Sequence, residues 1–237
     1  MAGHSQFKNI MHRKGAQDAK RAKKFAKLTR EIIVSVKSGM PEADKNPRLR
    51  AALSAARAEN MPKDNIERAI KKAIGGEDQT NYESVRYEGY GVGGVAVIVE
   101  TLTDNRNRTA PEIRAIFSKH GGQIGEMGSV SFNFSHIGLL QFPKRMEFDT
   151  VFEYALDASA DNVEELDECF EITTSMENFG QTRDILIEKL GDPIEAKLIW
   201  APNINIPIDE DQKEKLIKMI DAFEDNDDVQ NVFFNAE

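Results

Sequence analysis

Residues 136–202 read HIGLLQFPKRMEFDTVFEYALDASADNVEELDECFEITTSMENFGQTRDILIEKLGDPIEAKLIWAP, and the order of patterns within them decides the fold. Gly138–Phe142, Glu171–Thr174 and Ala196–Trp200 carry the β-branched, aromatic and alternating residues of strands, with Val163–Leu166 as a fourth. Phe148–Ala158 and Phe179–Leu190 instead space their apolar residues as helices do. Read in order, the block is β-α-β-β-α-β, the split βαβ or ferredoxin-like unit.

Outside the block the same order recurs. Strand patterns at Val95–Leu102, Val130–Phe134, Asn205–Ile208 and Val229–Phe234 enclose helical patterns at Ala110–Lys119 and Glu210–Glu224, and Val85–Tyr90 is a further strand. Upstream, Asp18–Ser38 is helical. A second helix follows Asn46-Pro47, an N-cap with proline in the first turn, and a third begins near Pro62 and stops at Gly75-Gly76. The expectation is an α+β, multidomain chain, with an N-terminal three-helix domain followed by two ferredoxin-like α+β units, one inserted in the other. The boundaries fall at 1–76, at 77–135 plus 203–237, and at 136–202; a linear chain of two domains is the alternative.

Charge is distributed very unevenly. The net charge is −9, yet residues 1–74 hold 18 Lys+Arg against 7 Asp+Glu, leaving 13 basic and 33 acidic side chains in the remainder. A basic block on an acidic body is the footprint of a protein that meets a polyanion with one end and repels it elsewhere. Wound at about 100° per residue, Ala22, Phe25, Ala26, Thr29, Ile32, Ile33 and Val36 share one helix face, while Lys20, Lys23, Lys24, Lys27 and Arg30 share the other. The first face is expected to pack and the second to reach phosphates. Residues before Asp18 show no period and read as an arm that orders on binding.

Other constellations point away from catalysis. Gly89–Gly94 matches G-x-G-x-x-G in letters, but a strand follows it where a dinucleotide site needs a helix N-terminus, so a turn between strands is expected. His4 and His12 lack the convergent spacing of metal ligands. Cys169, the only cysteine, has no His/Asn arrangement around it and cannot form an intrachain disulfide. The acidic run Asp157–Glu171 and the cluster Glu224, Asp225, Asp227 and Asp228 lack the calcium-loop pattern and read as solvated surface. Trp200 and Phe233 read as core. The polar run Thr103–Thr109 leads into a helix with Thr109 as N-cap, and its Arg106 and Arg108 are additional anion-binding candidates. No stretch approaches the roughly 20 apolar residues of a membrane span.

The segments AGHSQFKNIMHRKGAQDAKRAKKF, ENMPKDNIERAIKKA, YEGYGVGGVAVIVETLTDNRNRTAPEIRAIFSKHGG and GSVSFNF together resemble the YebC/PmpR family, which includes a mitochondrial translational activator. Gln6-Phe7 stands where many relatives have lysine-tryptophan, keeping the aromatic and losing a charge. The resemblance implies three domains, a cytoplasmic location, no enzymatic activity and no cofactor. It also implies regulation of gene expression, by binding DNA as a transcriptional regulator or alternatively by binding ribosomal RNA and relieving stalling at proline-rich stretches. The acid-poor, amphipathic start also has the composition of a mitochondrial presequence, but the family motif begins at Ala2, so no removable extension is expected before it. The residues expected to contact nucleic acid are His4, Lys8, His12, Arg13, Lys14, Lys20, Lys23, Lys24, Lys27, Arg106 and Arg108. The expected partners are DNA or ribosomal RNA, and with the latter the ribosome; no membrane, metal or small-molecule substrate is expected.

Overall fold

The computed structural model describes residues 17–76 and 80–237, with the side chains of 17–20 outside that description. The described residues form helices α1 (Gln17–Lys37), α2 (Pro47–Ala58), α3 (Lys63–Ile74), α4 (Arg106–Lys119), α5 (Phe148–Asp157), α6 (Phe179–Leu190) and α7 (Glu210–Glu224). Eight strands accompany them: β1 (Glu83–Tyr90), β2 (Ala96–Thr103), β3 (Gln123–Ile124), β4 (Phe134–Pro143), β5 (Asn162–Glu165), β6 (Cys169–Ser175), β7 (Glu195–Pro202) and β8 (Val229–Phe234). They make two four-stranded sheets, ordered β3-β1-β2-β8 and β5-β6-β4-β7. The fold is therefore α+β. Among the described residues no helix is long and apolar enough to cross a membrane.

Two compact units result. The first gathers α1 as far as Arg30, residues 80–135 and Ala201–Glu237. Its centre is the hairpin of β1 and β2, paired from Glu83↔Thr103 to Tyr90↔Ala96. The glycine-rich run is the turn of this hairpin: Gly93 and Gly94 sit at φ 71° and 77°, where a Cβ is penalised, and Gly91 N–H donates to Val95 O at 2.7 Å. Helices α4 and α7 cover one face of the sheet. Ile113 and Phe117 lie one turn apart on α4, Leu216, Met219, Ile220 and Phe223 form the stripe of α7, and all are buried against Val95, Val97 and Val99. The rings of Phe117 and Phe223 meet edge to face at 4.9 Å. Fully burying one such side chain contributes about 1.5–3 kcal/mol.

The strand order of this sheet is ferredoxin-like, but the chain enters it at a different point. Two expected strands are absent and β1 takes up the vacant place. Val130–Phe134 reads as a strand by composition, yet Ser131–Asn133 is a 3₁₀ turn. The cause is Glu88, whose buried Oε2 accepts the Val130 and Ser131 N–H groups at 2.9 Å each, diverting them from any ladder. Burial pushes the Glu88 carboxyl up, but the backbone donors and Arg86 outweigh it and hold its pKa below the ordinary value. Asn205–Ile208 makes a single parallel bridge, Ile206↔Ala236, and then runs into the capping box of Asp209 and Gln212 that starts α7. β3 is only two residues long, held by Gly89↔Ile124 and Tyr90↔Gln123. A Cβ on Gly89 would stand 2.5 Å from Gln123 O and 2.9 Å from the Phe117 ring. Gly89→Ala is therefore expected to cost about 1–3 kcal/mol, seen as a lower urea midpoint at unchanged slope.

The second unit holds Glu31 to residue 76 together with His136–Trp200. Its sheet follows the order β4-α5-β5-β6-α6-β7, with β4 against β6 from Ile137↔Ser175 to Pro143↔Cys169 and β5 against β6 from Asn162↔Thr173. Leu140, Phe142, Phe170 and Ile172 pack beneath Val151 and Ala155 of α5 and Leu186 of α6. In the helical part, Asn46 caps α2 by accepting Leu49 N–H at 3.0 Å, and its amide donates to Ser35 O and Met40 O at 2.7 Å, fixing the turn after α1. Phe233 is buried, whereas Trp200 is half-buried and stacks on His136 at 4.4 Å.

Candidate nucleic-acid interface

Three cations of the basic face of α1 are engaged within the protein. Lys23 Nζ donates to both the backbone oxygen and Oδ1 of Asp225 at 3.1 Å, and Lys27 Nζ donates to Glu224 O at 2.7 Å. Arg30 Nη1 reaches Leu102 O at 2.8 Å, Asp227 O at 2.9 Å and Asp228 Oδ1 at 3.0 Å. The expected division of faces is thus only partly met: Phe25 is half-buried and Lys24 exposed, but Ala22 and Ala26 are exposed too, and Lys23, Lys27 and Arg30 bind the acidic turn between α7 and β8. That turn is the cluster whose composition reads as solvated. Asp225 carries Lys23, and Asp228 is buried.

Asp228 is the hub. Its Oδ2 accepts from Thr109 Oγ1 at 2.6 Å, Arg108 Nη2 at 2.7 Å and Thr103 Oγ1 at 3.1 Å, while Oδ1 takes Arg30. Burial alone would push this carboxyl up, but the hydrogen bonds from Arg108, Thr109 and Thr103 outweigh it and leave its pKa lowered. Hydrogen bonds to Asp228 and Asp104 raise the Arg108 guanidinium in turn. Lys27 moves the other way: burial lowers its pKa against the pull of Glu224 and Asp227. Around these groups lies a cleft of about 610 Å³ lined by Lys23, Arg30, Asp104, Arg108, Glu112 and residues 225–228.

The run Thr103–Thr109 supplies half of this network because its helix starts earlier than Thr109. Asn105 is the N-cap, accepting Arg108 N–H at 3.2 Å, and Pro111 lies inside α4. Thr109, released from capping, turns its buried hydroxyl to Asp228.

The candidate residues therefore separate. Lys23, Lys27 and Arg108 are engaged within the first unit. Lys24 and Arg106 are exposed, and Arg106 forms no ion pair among the described residues. Lys20 lies in α1 with its side chain outside the description, and His4, Lys8, His12, Arg13 and Lys14 lie outside the described residues. Sequence reading missed Arg30, Thr103 and Asp228 as one network. A signal existed: three carboxylates in Asp225–Asp228 repel one another unless cations approach, and the cation-rich face of α1 is the natural source. Among the described residues no three His, Cys, Asp or Glu side chains are grouped to hold a metal.

Two family models match the chain. One, described as the TACO1/YebC protein N-terminal domain, matches residues 5–76; the other, Transcrip_reg, described as the TACO1/YebC second and third domain, matches 82–236. Among solved structures, the chain is similar to a conserved hypothetical protein from Aquifex aeolicus, at 44% identity and a TM-score of 0.83, over 96% of this chain and 95% of that one.

Proposed function

The chain belongs to the TACO1/YebC family, a family of regulators, and on that premise we propose that it is a non-enzymatic, nucleic-acid-binding regulator of gene expression acting on DNA. The observation that carries this reading is the charge division. Residues 1–16 hold Lys8, Arg13 and Lys14 with His4 and His12 and no acidic side chain, within a chain whose net charge is −9. Because Lys23, Lys27 and Arg108 are internally paired, the phosphate contacts are assigned to the N-terminal segment, to Lys20 and to Arg106 at the start of α4. Lysine and arginine on phosphate set position and affinity, with little sequence information of their own.

The test is salt titration with duplex DNA and with ribosomal RNA fragments. Log affinity is expected to fall linearly with log salt, by about 0.9 per neutralised phosphate on duplex DNA. Affinity that stays flat between low and moderate salt for both probes would remove the electrostatic basis of the reading. Crosslinking in cells, followed by sequencing of the attached nucleic acid, is expected to recover promoter DNA. Recovery of ribosomal RNA, with ribosome co-sedimentation that survives removal of DNA, would replace transcription by translation as the process regulated.

A further inference from the structure

Helix α5 in the second unit carries two parallel lines of side chains that, beyond Phe148 packing on the core, its own fold does not use. Val151 and Ala155 are its buried face. Beside them Phe148, Phe152 and Leu156 repeat at i, i+4, i+8; Phe152 is 47% and Leu156 66% exposed, and the rings of Phe148 and Phe152 are 5.9 Å apart. Met146, just before the helix, is exposed as well. The next line round is Asp149, Glu153 and Asp157 at the same spacing, all exposed, with no ion-pair partner among the described residues.

Neither line is explained by the stability of α5. Asp149 suits the helix dipole in the first turn, but like charges at i, i+4 weaken the helix and Asp157 in the last turn opposes the dipole. Exposed phenylalanine and leucine in a row lose the burial that would stabilise them. Both become favourable if an opposing segment supplies apolar residues to the first line and cations to the second. We propose that this outer face of α5 is a docking surface for a lysine- or arginine-rich amphipathic segment of a partner protein. The surroundings favour a basic occupant: residues 136–202 hold 5 Lys+Arg against 15 Asp+Glu. The acidic line repels phosphates, so nucleic acid is disfavoured here. A second copy of the chain is disfavoured too, because an isologous contact would bring two acidic lines together. The inference does not depend on what the N-terminal segment binds.

The experiment uses the full chain and a fluorescent peptide of about 18 residues with leucines at i, i+4 and lysines alongside, read by anisotropy at low salt. Saturable binding is expected for the parent chain. Both Phe152→Ser/Leu156→Ser and Asp149→Asn/Glu153→Gln/Asp157→Asn are expected to bind at least about tenfold more weakly, with unchanged circular dichroism, since every replaced side chain is exposed. The acid-neutral variant also loses most of the salt dependence. A peptide with glutamate in place of lysine is expected not to bind. Equal binding by parent and either variant, or no binding by the parent, overturns the assignment. So does a parent dimer that Phe152→Ser/Leu156→Ser converts to monomer, since the occupant would then be a second copy.

Discussion

Asp228→Ala is expected to destabilise the first unit by about 3 kcal/mol, the lower end of the roughly 3–5 kcal/mol lost when one partner of a buried ion pair is removed. The lower end applies because Arg108, 45% exposed, regains water once its carboxylate is gone. Arg30 is 19% exposed and the Thr103 and Thr109 hydroxyls are buried, so these keep a desolvation cost with no acceptor left to offset it. The corresponding fall in melting temperature is roughly 6–12 °C. Amide exchange localises the effect: protection is expected to drop in β2 and β8, which join at Asp228 O through Leu102 N–H at 2.7 Å, while β4 and β6 keep theirs. Asp228→Asn separates charge from shape, since its amide nitrogen would face donors already aimed at Oδ2.

The pH dependence carries a definite sign. The folded pKa of Asp228 is depressed, so its contribution is fully present above the ordinary carboxylate value near about 4 and is lost as pH falls through the folded value. The parent should therefore show a steeper loss of stability below about pH 4 than Asp228→Asn does. A variant within about 1 kcal/mol of the parent, or an identical acid limb, would mean that the hub contributes nothing net.

Why was this hub invisible when so much else could be read? The block from β4 to β7 is legible because each element announces its period and its ends, and the caps at Asn46 and Asp209 are local chemistry. What failed is non-local. The amides of Val130 and Ser131 follow a carboxylate on Glu88, 42 and 43 residues away, so a strand-like composition becomes a turn. Helix α1 fails for a related reason. A helical wheel separates two faces but does not say which one packs, and in the first turns the apolar face offers Ala22 and Ala26, which bury little area. From Ile32 onward the large side chains decide, and Ile32, Ile33 and Val36 are buried as the sequence suggests. Before that point the acidic turn, about two hundred residues later in the chain, draws in Lys23 and Lys27 and leaves Ala22 and Ala26 exposed.

The internal pairing of Lys23 and Lys27 divides one basic region into cations that build the protein and cations that meet a ligand. Lys8→Glu/Arg13→Glu/Lys14→Glu replaces side chains in the N-terminal segment, and is expected to lower affinity for duplex DNA by about a thousandfold or more at low salt. The salt slope should shrink by about 2.7, and the unfolding curve should stay where the parent's is. Lys23→Glu/Lys27→Glu acts oppositely. It sets new carboxylates against Asp225, Asp227 and the Glu224 carbonyl and removes three solvent-exposed hydrogen bonds, so about 1–2 kcal/mol of stability should go. Affinity, measured where that variant is still folded, should fall less than about tenfold. The paired measurement is binding and unfolding on the same samples. If reversing Lys23 and Lys27 abolished binding and left unfolding untouched, these two side chains would have to leave Asp225 and Glu224 for phosphate, and the acidic turn would be a latch that nucleic acid opens.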